Sequence, residues 1–177
     1  AADLVCSFKQ VAVDQTSSQR RQFELAEVVD EMVVSLMPSL RRTPYQITVE
    51  VPKTGLLLDS FPGPLGQVLG NLINNAVLHG FDGRTEGTIR ITGEADGASH
   101  VMLRVIDNGN GIASELLARI FEPFVTTRMG RGGTGLGLHI AYNAVTSVLG
   151  GTLTVHSVQG QGASFEMRLP LQAPVSA

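Results

Sequence analysis

An aspartate and a glycine cluster carry the residue types best suited to chemistry in this sequence. Asp107 ends the alternating apolar run of Val101, Leu103 and Val105, which predicts a half-buried strand. Further on, a glycine-rich stretch at residues 132–137 leads into a helical pattern. A carboxylate at a strand end can accept a hydrogen bond from a base amine. Glycines at a helix N-terminus let backbone amides approach phosphates. Together these features predict a nucleotide site.

Two asparagines, Asn71 and Asn75, lie four residues apart in a segment that begins at Pro62 and reads as a helix to His79. Four-residue spacing places both on one helix face. Asparagine is unfavourable in a helix interior, so the pair calls for an explanation. One interpretation is a solvated or mutually hydrogen-bonded pair. The other is that the amides face phosphates and a metal, since Mg²⁺ prefers oxygen ligands.

Four short motifs, taken together and in order, resemble those of the sensor histidine kinases within the GHKL (Bergerat-fold) ATPases. Residues Gln67 to His79 resemble the N box. They are followed by Asp107-x-Gly109-x-Gly111 (G1 box), Phe121-Glu122-Pro123-Phe124 (F box) and Gly133-Thr134-Gly135-Leu136-Gly137-Leu138 (G2 box). The resemblance covers roughly Phe23 to Leu171. It implies an ATP-binding catalytic domain that uses ATP and Mg²⁺.

The resemblance also implies residue roles. Asp107 would accept a hydrogen bond from the adenine amine, and Gly109 and Gly111 would keep side chains off the base. Asn75 would bind the metal, and Asn71 would be catalytic beside the phosphates. Further nucleotide contacts are implied for His79, Ile112, Phe124, Gly133, Thr134, Gly135, Leu136, Gly137, Leu138 and Ser164.

Two positions depart from the family pattern. Leu78 stands where relatives often carry Lys or Arg, so one phosphate contact is missing. Ala163 follows the last glycine pair where a threonine is usual, and Ser164 is the candidate to replace it.

The segment Ile112 to Arg131 would be a long, structureless lid over the nucleotide. Phe121 and Phe124 are predicted to latch this lid onto the domain, with simple core packing as the alternative. Arg128 and Arg131 are the basic residues nearest the expected phosphates. They are either catalytic or solvated surface charges.

The expected reaction is phosphoryl transfer. Asn71 stands where hydrolytic branches of the superfamily carry a water-activating glutamate, and an amide cannot act as a general base. None of the four histidines is followed by an acidic residue, as an acceptor usually is: His79, His100, His139 and His156. The resemblance therefore implies a separate helical dimerisation and phosphoacceptor domain, and a response regulator receiver domain, as partners. The alternative is a nucleotide-sensing or protein-binding module on the same fold.

The composition fits one globular domain with a sizeable core. The chain has 177 residues, 43% hydrophobic residues, mean hydropathy +0.16 and net charge −3. Without a basic run, nucleic acid is not an expected partner. Cys6 is the single cysteine, which fits a reducing compartment. We expect a cytoplasmic, monomeric fragment of a homodimeric parent, which can itself be membrane-anchored.

Three segments are predicted along the chain. Residues 1–21 would end a preceding dimerisation helix and its linker, although the apolar spacing from Leu4 to Val11 also suits a helix packed on its own domain. Residues 22–171 would form the ATP-binding domain, and residues 172–177 a disordered tail. The predicted strands are Phe23–Leu25, Gln46–Val51, Gly55–Asp59, Thr88–Gly93, His100–Asp107, Thr152–Ser157 and Ala163–Leu169. Leu56, Leu57 and Leu58 are predicted to be buried. Helices are predicted over Ala26–Leu40, Pro62–His79 and Leu136–Leu149. This order predicts an α+β fold. The resemblance implies more: a two-layer sandwich (Bergerat fold), with a mixed sheet of five strands or slightly more covered on one face by three helices.

Overall fold

A mixed five-stranded sheet forms one layer of the domain. The computed structural model describes residues 19–127 and 133–175. The strands of this sheet are β2 (Tyr45–Glu50), β4 (Gly87–Asp96), β5 (His100–Asp107), β6 (Thr152–Ser157) and β7 (Ala163–Pro170). They lie in the order β2-β4-β5-β7-β6. Only β2 and β4 among these neighbours run parallel, and the other pairs are antiparallel.

The sheet is buried on one face because its strands alternate apolar and polar residues. The inward residues at its centre are fully buried: Ile89, Ile91, Val101, Leu103, Phe165 and Met167. The outward face carries ion pairs between neighbouring strands: Arg90–Glu50, Arg104–Glu94 and Arg104–Glu166. A further pair, Arg168–Asp96, joins β7 to β4 across β5. A charged face of this kind stays solvated, so the helices cover only the apolar side.

Three helices pack on the apolar face: α1 (Leu25–Leu40), α2 (Pro62–Asn75) and α4 (Gly137–Asn143). Helix α2 begins with Pro62, as predicted. Its Gly66 and Gly70 face Met32 of α1, where an added Cβ would lie 3.4 Å from the methionine side chain. The four-residue spacing of these glycines therefore lets the two helices approach closely. The α+β architecture predicted from the sequence is confirmed.

Two helices end in a π-helical turn that the sequence did not predict. Helix α2 continues through Ala76–Gly80, and α4 through Ala144–Val148. The amide of Phe81 donates to the carbonyl of Ala76, five residues back, at 2.9 Å. Such turns are uncommon and are frequent at functional sites. Gly150, with φ +71°, ends the second turn in the manner expected of a C-terminal glycine.

A separate two-stranded sheet joins both ends of the described chain. Strand β1 (Arg21–Glu24) pairs antiparallel with β3 (Leu57–Ser60). Arg20 binds Asp59 of β3 at 2.8 Å and donates to the Ala173 carbonyl, also at 2.8 Å. The Ala173 amide donates to the Asp59 carbonyl at 2.9 Å.

Two expectations near this small sheet are corrected. Gln172 bridges to Asp59, and Ala173 is only 3% exposed, so these residues do not belong to a disordered tail. Leu57 is 51% exposed, because in a strand it points away from its buried neighbours Leu56 and Leu58. Residues 1–18 lie outside the described residues.

The segment after β5 is less irregular than predicted. Helix α3 (Ser114–Leu117) and a series of turns fill residues 114–124. Phe121 stacks on Tyr142 of α4 with ring centroids 5.1 Å apart and meets Phe165 of β7 edge-on at 6.5 Å. This part of the expected lid is thus anchored to the core through Phe121. No helix among the described residues is long and apolar enough to span a membrane.

Candidate functional site

Two adjoining cavities lie between α2, the segment after β5 and the loop before α4. The larger has a volume of about 220 Å³ and the smaller about 90 Å³. Together they reach the lower end of the range of roughly 300–1,000 Å³ for small-molecule sites. The residues common to both linings are Asn75, His79, Val125, Thr126 and Leu138. The arrangement is that of one cleft with two compartments.

The smaller compartment has a polar helix face on one side. Asn71, Asn74, Asn75 and Leu78 of α2 and its π turn all line it. Their offsets of three, four and seven residues describe one face of a helix. The opposite face of α2 is fully buried: Leu65, Val68, Leu69, Leu72 and Ile73. Because the apolar face is fixed in the core, the asparagines must face the cleft.

The glycine loop before α4 forms the other side of the smaller compartment. Gly133, Thr134, Gly135 and Gly137 line it. Gly135 has φ +67°, and an added Cβ would lie 2.6 Å from the Phe124 carbonyl carbon. The Phe124 amide donates to the Gly135 carbonyl at 2.8 Å. The loop therefore needs glycine at position 135 to lie against the segment after β5.

The larger compartment is more apolar. Ile112, Leu116, Ile120 and Leu138 supply its aliphatic lining, and Gly111, Ala113 and Gln159 complete it on that side. The Ile112 amide donates to the Ser157 hydroxyl at 2.9 Å, which fixes Ile112 at the end of β6. An apolar compartment of this kind suits a flat aromatic base.

Asp107 ends β5 in a buried position, with 6% of its surface exposed. Its Oδ1 accepts a hydrogen bond from the Gly109 amide at 2.8 Å. Burial raises the pKa of the Asp107 carboxyl above its usual value. Hydrogen bonds from the Gly109 and Ala163 amides, and then the charge of Arg84, partly oppose the shift. The Asp107 carboxylate thus closes the turn to Gly109, and its burial raises its pKa.

Comparison with known proteins shows the family to which the chain belongs. The family model described as histidine kinase-, DNA gyrase B-, and HSP90-like ATPase matches residues 62–173, which include α2, Asp107 and the glycine loop. The chain belongs to this family. It is an ATP-binding domain of the GHKL type.

The most similar proteins compared are bacterial sensor kinases. The two-component sensor PprA of Pseudomonas aeruginosa is 40% identical over 141 residues, which are 78% of this chain and 15% of PprA. The catalytic domain of histidine kinase ThkA, in a nucleotide-free form, superposes with a TM-score of 0.75 and 29% identity, covering 87% of this chain and 97% of that domain.

Two larger structures also superpose on the chain. Full-length ShkA in complex with AMPPNP gives a TM-score of 0.73 at 26% identity, covering 98% of this chain and 36% of ShkA. ThkA in complex with the response regulator protein TrrA gives 0.70 at 26% identity, covering 96% of this chain and 47% of that ThkA chain. The chain thus spans a small part of PprA and less than half of these larger structures.

Many of the residues predicted for this GHKL site line the cleft. They are Asn71, Asn75, His79, Gly111, Ile112, Gly133, Thr134, Gly135, Gly137 and Leu138. His79 also has its Nδ1 3.1 Å from the Thr127 hydroxyl, across the cleft. The π turn that contains Leu78 and His79 alters the helical register just where these side chains enter the cleft.

Five of the predicted residues that the structure describes line neither compartment: Asp107, Gly109, Phe124, Leu136 and Ser164. Phe124 has φ +66° and is 63% exposed, so its side chain is not a latch. Leu136 contributes its carbonyl to the first turn of α4, where it accepts from the Ile140 amide at 2.9 Å. Asp107 ends β5, and Gly109 follows it in the next bend of the chain.

Ser164 lies on the open face of the sheet. Its neighbours Ala163 and Phe165 point inward, so the two-residue period of β7 turns Ser164 away from the helices. Ser164 therefore cannot take the place of a threonine at position 163. The alternation of this strand was visible in the sequence and already implied the outcome.

The glycines of the G1 box are also required by the packing of the protein itself. A Cβ on Gly109 would overlap the Gly80 carbonyl, and a Cβ on Gly111 would overlap the Val158 carbonyl. These glycines allow close approach of the protein backbone to itself, at the end of α2 and at the β6–β7 turn. Their shared role is to bring those segments around the site.

Two predicted residues lie outside the part of the chain that the structure describes, and several residues that line the cleft were not predicted. Arg128 and Arg131 lie outside the described residues. The sequence did not single out Asn74, Leu116, Ile120, Val125, Thr126 or Gln159, all of which line the cleft. For Asn74 the signal was available, because it lies three residues after Asn71 on the same helix face.

Proposed function

We propose that this domain binds ATP together with Mg²⁺ and donates the γ-phosphate to a histidine on a separate helical domain of its parent protein. One observation carries the proposal. The asparagine face of α2 lies opposite the glycine loop of residues 133–137 across the smaller compartment. One side offers amide oxygens and the other offers backbone amides, which suits a metal-bound phosphate chain.

The two compartments suggest an orientation for the nucleotide. The apolar compartment beside Ile112 and Ile120 would hold the base. Asp107 would be the acceptor for the adenine amine. The glycine loop would hold the phosphates. His79 lines both compartments, so it would lie near the ribose.

Asn75 would hold the metal through its amide oxygen. A neutral ligand is suitable here because it does not repel the phosphates. The donor set fits a hydrated cation, since the adjacent Asn74 has a buried Oδ1 that meets no hydrogen-bond donor among the described residues. When bound, Mg²⁺ neutralises phosphate charge and orients the phosphate chain.

The reaction supported best is phosphoryl transfer. A histidine nitrogen would form a bond to the γ-phosphorus while the bond from that phosphorus to the bridging oxygen breaks, and ADP leaves with the electron pair. Asn71 has no basic group to activate water, which disfavours hydrolysis. Arg128 and Arg131 are proposed to stabilise charge on the transferring group.

The relatives support a choice of partners. PprA is named a two-component sensor, and ThkA has been solved with a response regulator protein. For this chain, as a cytoplasmic domain, we propose a phosphoacceptor domain in the same parent protein and a receiver domain of a response regulator downstream. We propose a monomeric domain within a homodimeric parent.

Calorimetric titration tests the binding step. ATP should bind more tightly with Mg²⁺ than with a chelator present, and Asn75→Ala should remove most of that difference. Asn143→Ala is the matched control, because Asn143 is exposed on α4 outside the cleft. Equal affinity with and without Mg²⁺ in the native protein would overturn the metal role of Asn75.

Transfer is tested with radiolabelled ATP and the parent's acceptor domain. Label should appear on the acceptor histidine only when both domains are present. Label retained on this chain alone would contradict the proposal. Tight Mg-ATP binding without transfer to the parent's own acceptor would instead support a nucleotide-sensing module.

A further inference from the structure

Asn74 lies in the smaller compartment between the two asparagines already discussed. It is three residues after Asn71 and directly before Asn75, on the cleft-facing side of α2. The motif resemblance did not single it out, although its spacing from Asn71 places it on the same helix face. Its Oδ1 is buried and meets no donor among the described residues.

Asn71 shows the complementary feature. Its Nδ2 is buried in the same compartment and meets no acceptor among the described residues. Asn71 and Asn74 both line this compartment. Buried polar groups in folded proteins are nearly always hydrogen-bonded, so the two unpaired atoms indicate partners that enter it. One must accept a hydrogen bond and the other must donate one.

The chemistry of a metal-bound phosphate chain supplies both partners separately. A phosphate oxygen carries no proton and can only accept. A water bound to Mg²⁺ uses its lone pair on the metal and therefore only donates. Mg²⁺ dehydrates reluctantly and keeps several such waters beside its protein and phosphate ligands.

We propose that Asn74 is a positioning residue for the hydrated metal. Its Oδ1 accepts a hydrogen bond from a water on the Mg²⁺ that Asn75 binds, and the Asn71 Nδ2 donates to a phosphate oxygen. Asn74 then fixes where the metal lies along α2 without contacting it. This assignment rests on the proposed Mg-ATP site.

The rest of the compartment is consistent with this division. Leu78, one turn beyond Asn74, offers neither charge nor hydrogen bond. The cation that relatives often carry at this position is absent, so the metal and its water shell have a larger share in holding the phosphates. A neutral acceptor at Asn74 serves that shell without adding negative charge.

Two substitutions at position 74 distinguish an Asn74 that accepts a hydrogen bond from a metal-bound water from one that donates to a phosphate. Asn74→Leu removes the acceptor at similar volume, and Asn74→Asp keeps an acceptor while removing the donor. The probe is ADP, titrated by calorimetry with Mg²⁺ and again with a chelator. Asn143→Leu, on the exposed side of α4, is the matched control.

We expect Asn74→Leu to weaken Mg-ADP binding roughly tenfold, as loss of groups that orient metal ligands typically does. Without Mg²⁺, the affinity of Asn74→Leu for ADP should stay within about twofold of that of the native protein, because Asn74 acts only through the metal. Asn74→Asp should retain the Mg²⁺-dependent part. Loss of metal-free affinity in Asn74→Asp is expected from repulsion between its carboxylate and the phosphates.

Three results would overturn the assignment. The first is an equal loss with and without Mg²⁺ in Asn74→Leu. The second is a loss of the Mg²⁺-dependent part in Asn74→Asp as large as in Asn74→Leu, which would mean that Asn74 donates to phosphate. The third is unchanged Mg²⁺-dependent binding in Asn74→Leu.

Failure of the proposed function looks different. Native protein that shows no Mg²⁺-dependent nucleotide binding would remove the function and the assignment together. Unfolding temperatures of the ligand-free variants show whether each has folded. Should Asn74→Leu not fold, Asn74→Ala removes the same acceptor with less bulk and takes its place in the comparison with Asn74→Asp.

Discussion

Gly162 lies against Asp107, at the point where β7 begins beside the end of β5. A Cβ at position 162 would overlap the Asp107 carbonyl oxygen and lie 2.9 Å from its carbonyl carbon. Gly160, in the same turn, has the same φ of +83° but open space around it. Gly160 is therefore favoured only by its positive φ, whereas Gly162 is also required because a side chain there has no space.

This contrast gives the first prediction. Gly160→Ala should cost only the left-handed conformation, roughly 1–2 kcal/mol. Gly162→Ala should cost clearly more, because the backbone at Asp107 must move as well. Chemical denaturation of both variants measures the difference. Equal losses of unfolding free energy would show that the β5–β7 junction adapts without strain.

The second prediction concerns stability and the pH response of Asp107. Burial raises its pKa in the folded state above the ordinary value of 3.8. The folded protein then binds this proton more readily than the unfolded chain does. The resulting stability is present below that ordinary value and is lost as pH rises through the raised pKa. Thermal unfolding of the native protein and of Asp107→Asn across this range should therefore diverge. A constant difference between the two would contradict the prediction.

The third prediction is the nucleotide counterpart. The ionised Asp107 carboxylate can accept a charge-assisted hydrogen bond from the adenine amine, whereas the protonated carboxyl carries no charge and presents a proton of its own. ATP affinity should therefore fall as the pH decreases through the raised pKa of Asp107. Asp107→Asn should lower affinity by about 1.5–3 kcal/mol near neutral pH. Titration calorimetry at several pH values tests both effects. Unaltered affinity in Asp107→Asn would contradict the adenine role.

The fourth prediction separates the two aromatic residues of the F box. Phe121 packs between Tyr142 and Phe165, whereas Phe124 is 63% exposed. Phe121→Ala should cost near the lower end of the roughly 3–5 kcal/mol seen for buried phenylalanines, because it is only partly buried. Phe124→Ala should change the unfolding free energy by less than about 0.5 kcal/mol. Denaturant titration would refute this contrast if both variants lost the same stability.

The fifth prediction tests the connection between the two chain ends. The Arg20 guanidinium holds the pKa of Asp59 below its usual value of 3.8, chiefly through their hydrogen bond. An acid with a lowered folded pKa contributes stability above its ordinary value and loses it as pH falls through the folded pKa. Asp59→Asn should therefore lower the unfolding temperature at neutral pH and have little effect in strong acid.

Asp30→Asn is the control for this pair. Asp30 binds Lys53 at 2.6 Å, but the lysine side chain is 71% exposed, so the pair should contribute little. Asp30→Asn should therefore have nearly the same unfolding temperature as the native protein at each pH in this range. A loss in Asp30→Asn equal to that in Asp59→Asn would mean that joining the chain ends has no special effect.

The sequence by itself determined the strands, the helix faces and most of the cleft. Asp107 at the end of an alternating run, and Asn71 and Asn75 four residues apart, are local patterns. Local periodicity fixes which side of an element is apolar, and the apolar side must enter the core. The polar residues opposite are then directed to the site before any tertiary detail is known.

Only the tertiary structure decided the close approaches. The reasons for glycine at 109, 111, 135 and 162 depend on which backbone segment lies nearby, and that segment is distant in the sequence. The same holds for Ala173, which binds the distant Asp59, and for the unpaired Oδ1 of Asn74. A spacing pattern contains no information about such partners, because they are set by how the elements pack against one another.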